Sequence, residues 1–459
     1  MGHHRAIVPA RSTRHRKSQA RDSVKTAAAG RRPPKSSARC PGMASGARSA
    51  TILCCEGEAL KEEQMPHPTT PHPGVAPLCA LIIALGACGD ATSGGPDSTP
   101  NGQLDGSGEQ TSRPELPEEQ LGALCPAAAQ DGLTVSGSVY LDQNDSANTL
   151  YDQGVDPEDA PPPTPVSVSL FTTEKISSGL TCDGGEFAFE GLEPGRYLID
   201  VAPEASWSCA STNCGRNLAT AIRGGQVNVV AFGDSVPAYG PEPWFPERFG
   251  AHLSGFAEVT VTNVAIPGSE SREWLPGTRA WVNRLAPTLD DADVIVFSLG
   301  GNDLYSVIDD INSPDAQAIL GQVDAILELI DQIKANLKAI VEAIRAEAPH
   351  ADIVWLLYPN YAMSRAWGEI AGDYQGAAEL LLETELKQIR EEMADVPGLL
   401  IMDIFAAVDK ARIDTLLLDE LHLNAEGHAF YAEELFRTLG GVHVTADAPH
   451  VTRDFGFRP

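Results

Sequence analysis

The chain has 459 residues, with 33 Lys+Arg against 63 Asp+Glu and a net charge of −30. That length exceeds one typical domain and allows two or three. Residues 1–64 hold 13 basic and 5 acidic residues, 65–88 hold neither, and 89–459 hold 20 basic against 58 acidic, a surface that repels phosphate backbones and argues against nucleic acid or anionic polymers as partners.

Residues 1–64 are rich in Arg, Ser, Ala and Pro and show no sustained apolar periodicity, so they read as a disordered basic extension or as residues upstream of a start at Met43 or Met65. Residues 65–88 read as a signal segment. Their apolar core, from Pro77 to Cys88, is too short to span a bilayer and has the length of a secretory h-region. Leu85-Gly86-Ala87-Cys88 resembles a bacterial lipobox. The resemblance implies cleavage before Cys88 and lipidation of its thiol, hence an exported chain anchored in the cell envelope. Residues 89–130 are dense in Gly, Ser, Thr, Pro, Asp and Glu and read as a disordered acidic linker.

Residues 131–225 have the texture of a small β-sandwich. Thr134–Leu141, Val166–Phe171, Glu186–Phe189 and Tyr197–Val201 read as short strands separated by turns such as Asp183-Gly184-Gly185 and Glu193-Pro194-Gly195. The run Gly185–Tyr197 resembles the prealbumin-like, Cna-B-type repeats of bacterial surface proteins, some of which bind calcium in an acidic loop. Asp142, Asn144, Asp145, Asp152 and Asp156 supply oxygen ligands in the corresponding place, but their loose spacing favours a solvated loop. Cys125, Cys182, Cys209 and Cys214 precede the next domain and allow three pairings, of which 125–182 with 209–214 is the simplest. No cysteine falls in 227–459, which excludes a cysteine nucleophile there, and no C-x-x-C pair points to zinc.

Residues 226–441 alternate strands and helices. Val227–Phe232, Val259–Asn263, Val294–Leu299, Ile353–Leu357 and Leu399–Ile404 read as strands. A long helical tract begins at Ser313-Pro314, with Ile319, Val323, Ile326, Ile330, Ile333, Leu337, Ile340 and Ile344 at helical spacing. A second covers about 366–393, and a third starts at Asn424 and ends by Gly440. This pattern predicts an α/β fold, a parallel sheet covered by helices on both faces. Residues 442–459 read as a C-terminal tail.

Four blocks carry the chemistry. The strand Val227–Phe232 runs into Gly233-Asp234-Ser235, Asn263–Gly268 follows the next strand, Gly300-Gly301-Asn302-Asp303 closes the third, and Asp419-Glu420-Leu421-His422 precedes the last helix. In this order they resemble the SGNH/GDSL hydrolase family, over roughly Val227 to Gly440. The resemblance implies a three-layer, flavodoxin-like fold and ester hydrolysis without a cofactor. A serine hydroxyl needs a base, and His422 is the candidate, with Asp419 three residues earlier to hold its ring on one face of a helical turn. His428, inside the last helix, is the alternative. The backbone N–H of Ser235 is one oxyanion donor; the family assigns the second to Gly268 and the third to the Asn302 side chain. Asp234 and Asp303 are expected to support the loops by hydrogen bonds. The function this predicts is a serine esterase or lipase working through an acyl-enzyme, on a small ester or an acylated carbohydrate. The alternatives are an O-acetyl transferase or deacetylase on a surface polysaccharide, and an inactive surface adhesin.

Overall fold

The computed structural model describes residues 115–126, 132–141, 159–202, 208–209, 217–304, 323–371 and 375–458. Contacts divide the chain into Met1–Pro68, outside those residues, and Thr69–Pro459, to which everything below belongs. Cys88, Cys214, the acidic positions from Asp142 to Asp156 and the expected helix start at Ser313 also lie outside them. Among the described residues no helix is long and apolar enough to cross a membrane.

Among the described residues the first part is β apart from its last element: β1 (Glu118–Ala123), β2 (Leu133–Leu141), β3 (Ser167–Phe171), β4 (Ile176–Leu180), β5 (Glu186–Leu192), β6 (Gly195–Ala202), β7 (Ser208–Cys209) and then α1 (Asn217–Arg223). The second part alternates: β8 (Gln226–Gly233), α2 (Phe245–Leu253), β9 (Glu258–Asn263), β10 (Val294–Ser298), α3 (Val323–Glu347), β11 (Asp352–Leu357), α4 (Arg365–Ala371), α5 (Gln375–Ala394), β12 (Leu399–Asp403), α6 (Ile404–Ala407), α7 (Ile413–Leu416) and α8 (Ala425–Thr438). Three short strands end the chain: β13 (Gly441–Val444), β14 (His450–Thr452) and β15 (Phe455–Arg458).

The second part is built on a five-stranded, all-parallel sheet in the order β12-β11-β10-β8-β9. Every residue of β10 and β11 is buried, as the unbroken apolar runs Val-Ile-Val-Phe and Ile-Val-Trp-Leu-Leu require of strands covered on both faces. One face packs a core with Phe245, Phe249, Tyr431 and Phe436 from α2 and α8. The other packs Ile333, Leu337, Ile340 and Ile344 of α3, the stripe its helical spacing predicts. Numbered within the domain, the strand order is 2-1-3-4-5, and its direction reverses between β8 and β10. Open α/β sheets bind their ligands outside the carboxyl ends of the strands at such a reversal.

The tail departs from expectation. β13 pairs antiparallel with β6, and β14 and β15 pair parallel with β2, so residues 441–458 complete the β part. Its core buries Val442, Val444, Phe455 and Phe457 from the tail against Val135, Val168 and Phe187. The expected disordered linker is also ordered at its end. Glu118–Ala123 is exposed at every position, yet it pairs parallel with β4 as an edge strand, beside the buried Leu124 and the Cys125–Cys182 disulfide. Edge pairing needs backbone and one anchor, not an apolar pattern, so composition did not mark it.

The two parts share a core. Phe171, Ile176 and Leu198 of the β strands pack with Leu218, Ile222, Phe256 and Phe436. Arg223, at the end of α1, reaches Asp200 at 3.1 Å and the hydroxyl of Ser169 at 3.1 Å, with its guanidinium over the Phe171 ring. Arg196 of β6 pairs with Glu433 of α8 at 2.9 Å.

Candidate active site

Ser235 sits in the turn that leaves β8. Gly233 makes that turn with φ +118°, and a Cβ there would lie 2.1 Å from the Ser298 carbonyl oxygen of the neighbouring strand end. A glycine is therefore required on both counts. Asp234 N–H donates to the same carbonyl at 3.1 Å. The Asp234 side chain is buried and accepts three hydrogen bonds: Val236 N–H at 3.0 Å, Ser298 Oγ at 2.7 Å, and the hydroxyl of Tyr358 just past β11. Burial raises its carboxyl above the usual range against the pull of these donors. It supports the loop, as expected.

Asp419 and His422 lie on a bend between α7 and α8. The sequence spacing predicts a helical turn here. Instead, an antiparallel bridge between Leu417 and Leu423 closes the loop, because Asp419 binds its own backbone ahead. Asp419 Oδ1 accepts from Leu421 N–H at 2.9 Å and His422 N–H at 2.7 Å, an Asx-type turn. Asp419 Oδ2 then meets His422 Nδ1 at 2.8 Å. Burial raises the Asp419 carboxyl, but these hydrogen bonds outweigh it and the net shift is downward. The carboxylate is held ionised against Nδ1, which leaves Nε2 as the working nitrogen.

The bend meets the loop that follows the nucleophile turn. The ring of Tyr239, four residues past Ser235, sits 4.1 Å from the His422 ring, centroid to centroid. Leu421 and Ser235 line one cavity of about 130 Å3. Gly301 and Asn302 also line it, and Leu357, Trp367, Leu382, Leu386 and Ile389 are among its apolar walls.

His428 is a different kind of histidine. It is fully buried, Phe245 N–H donates to its Nδ1 at 3.2 Å, and its Nε2 meets the Tyr239 carbonyl oxygen at 2.9 Å. An N–H can only donate and a carbonyl can only accept, so Nδ1 is bare and Nε2 carries the proton. Burial pushes this imidazole down to about 4. With both nitrogens committed to backbone, it is no base for Ser235.

The two expected donor loops are fastened to each other. Asn302 Nδ2 donates to the Ser269 carbonyl at 3.0 Å. Asp303 accepts from Ser271 N–H at 2.8 Å and Ser271 Oγ at 2.5 Å, and Asn336 of α3 donates to that hydroxyl at 2.9 Å. Ser269 Oγ donates to the Gly233 carbonyl at 2.9 Å and accepts from Trp274 Nε1 at 2.8 Å. Gly268, at φ +80°, is exposed on the turn just before, with nothing within 4 Å of where a Cβ would be. The structure thus brings Ser235 and Asn302 to one cavity, and sets Gly268 on the loop that Asn302 holds.

Sequence reasoning missed Ser298, Tyr358, Ser271 and Asn336. Tyr358 was findable, because it is the first residue past a strand of the same sheet edge. Asn336 was not: it lies mid-helix, and only the fold brings it to Ser271. Among the described residues no group of three His, Cys, Asp or Glu side chains could hold a metal.

Residues 231–430 match the family model of the GDSL-like lipase/acylhydrolase family. That span begins in β8 and ends in α8, and it contains each of the four blocks. Residues 231–430 are a GDSL-like lipase/acylhydrolase domain. The chain is accordingly an ester-hydrolysing enzyme. No curated protein matches it. Among solved structures, this GDSL-like domain is similar to a lipase from a goat rumen metagenome, at 21% identity over 46% of this chain and 97% of that one, with a TM-score of 0.36. An extracellular lipase from Streptomyces rimosus shows 19% identity over 46% and 98%, with a TM-score of 0.35. A phospholipase A1 from Streptomyces albidoflavus NA297 shows 18% over 46% and 98%, with a TM-score of 0.34.

Proposed function

We propose that this GDSL-like domain cleaves carboxylic esters through an acyl-enzyme on Ser235. The observation that carries the reading is the Asp419–His422 pair, bonded at Nδ1 and set against Tyr239 on the loop that follows Ser235. His422 Nε2 takes the Ser235 proton as Oγ attacks the ester carbonyl, then passes it to the leaving alcohol. Water, deprotonated by the same nitrogen, releases the acid and restores Ser235. Asp419 keeps the ring in the right tautomer and stabilises the imidazolium. The oxyanion receives the N–H of Ser235, the N–H of Gly268 and one N–H of the Asn302 amide. That amide has two, so its bond to Ser269 fixes the group without using it up. The apolar walls beside Ser235 support an acyl group as the part of the substrate they receive.

Turnover of a short-chain aryl ester tests this. Ser235→Ala and His422→Ala should each remove activity by about a thousandfold or more. Wild-type turnover in either variant would refute the mechanism.

The proposal includes export and anchoring through Cys88, on the support of the Leu85–Cys88 sequence and of the Cys125–Cys182 disulfide, a bond that persists in oxidising compartments. The protein should partition into detergent, and Cys88→Ser should release it. Unchanged partition of the variant would refute anchoring.

A further inference from the structure

The loop after the nucleophile is fastened along its length. Ala238 N–H donates to the Ser235 carbonyl at 3.0 Å, and Asn263 Nδ2 donates to the Pro237 carbonyl at 2.7 Å. His428 Nε2 holds the Tyr239 carbonyl, and Trp244 Nε1 donates to the Gly240 carbonyl at 3.2 Å. The Phe245 N–H at the start of α2 closes on the other nitrogen of His428. Gly240, at φ +99°, lies so close that a Cβ would stand 2.5 Å from the Leu423 carbonyl and 3.1 Å from His428 Nε2. One buried imidazole therefore ties three segments: the nucleophile loop, α2 and the helix after the Asp419–His422 bend.

The product of this fastening is the place of one ring. Tyr239 is 45% exposed, so burial does not account for its position. Its ring lies 4.1 Å from that of His422 at an interplanar angle of 42°. Asp419 fixes one edge of the imidazole, but a single hydrogen-bonded edge still allows the ring to swing about its side-chain torsions. A tilted ring in contact with it restricts that swing, and an aromatic ring favours a cation beside it.

We propose that Tyr239 is a positioning residue for His422, set in place by the neutral His428. The inference rests on the reading of His422 as the base. Tyr239 keeps Nε2 of His422 directed at Ser235 and stabilises the imidazolium as it forms. Its hydroxyl has no part in this; the ring alone does the positioning.

His428→Ala would leave Phe245 N–H and the Tyr239 carbonyl without their partner in the core, so it would lower stability as well as activity. Tyr239 carries the test because its exposure keeps the fold intact. With a soluble aryl ester, Tyr239→Ala should lower kcat about tenfold at unchanged KM and unchanged melting temperature, since misplacing a catalytic group by a fraction of an ångström is enough. The rate of Ser235 phosphonylation by a fluorophosphonate should fall by the same factor. Tyr239→Phe should retain most of the wild-type kcat. An unchanged kcat in Tyr239→Ala would overturn the proposal. So would a raised KM with kcat intact, which would make the ring a substrate wall, or a Phe variant no better than Ala. His422→Ala runs alongside. If it is inactive while Tyr239→Ala is normal, only the positioning role fails. If His422→Ala is itself active, the reading of the base fails instead.

Discussion

The central sheet and the β part of this chain are held together by opposite means. In the central sheet every strand is parallel, and the residues that matter lie just past strand ends: Ser235 two residues beyond β8, Asn302 four beyond β10, Tyr358 one beyond β11. In the β part, partners come from far apart in the chain, as when Asp454 accepts from the Ser138 backbone N–H across 316 residues. The first arrangement points side chains at one edge and leaves them half open. The second buries its side chains and joins residues 441–458 to strands β2 and β6. The proposed chemistry sits on the parallel edge, while the β part contributes packing to a core that the two share.

Substitutions in the two parts should separate these roles. Asn302→Ala should lower kcat about a hundred- to a thousandfold with little change in KM, since an oxyanion donor acts mainly in the transition state. A rise in KM alone would move Asn302 from chemistry to binding. Phe455→Ala, in the core of the β part, should cost about 3–5 kcal/mol of stability, read by denaturant unfolding, and leave kcat at permissive temperature within about twofold. A kcat loss as large as that of Asn302→Ala would dissolve the distinction between the two parts. For His428 the readout is titration, not turnover. Its imidazole should titrate by NMR near pH 4, far below an ordinary histidine, while the unfolded chain takes up its proton near 6.5. The unfolded state thus binds the proton first as pH falls, so this group lowers stability between about pH 6.5 and 4. A midpoint near 6.5 would contradict the hydrogen bonding described for it.

Much of the parallel edge was legible in the sequence. Strands buried on both faces show as unbroken apolar runs, and Gly233, Asn424 and Gly440 mark their turns and caps by local chemistry: Asn424 Oδ1 accepts from Glu426 N–H and Gly427 N–H, and Gly440 sits at φ +91°. The Asp419–His422 pairing was legible too, though through an Asx-type turn and not the helical turn its spacing allows. Long-range contacts were not. The tail strands β14 and β15 are short and half polar, and they gain their order from β2. Ser271 and Asn336 meet only because α3 lies across the sheet face. Tyr239 reads as an ordinary loop tyrosine until His428, 189 residues later, is seen to hold its backbone.

The proposed mechanism passes through a covalent intermediate on one hydroxyl. Treat the enzyme with a fluorophosphonate ester, digest it and locate the adduct by mass spectrometry. A Ser235 nucleophile should give one modified residue, Ser235, with labelling lost in His422→Ala. Stoichiometric labelling elsewhere, or labelling of Ser235 at an undiminished rate without His422, would contradict it.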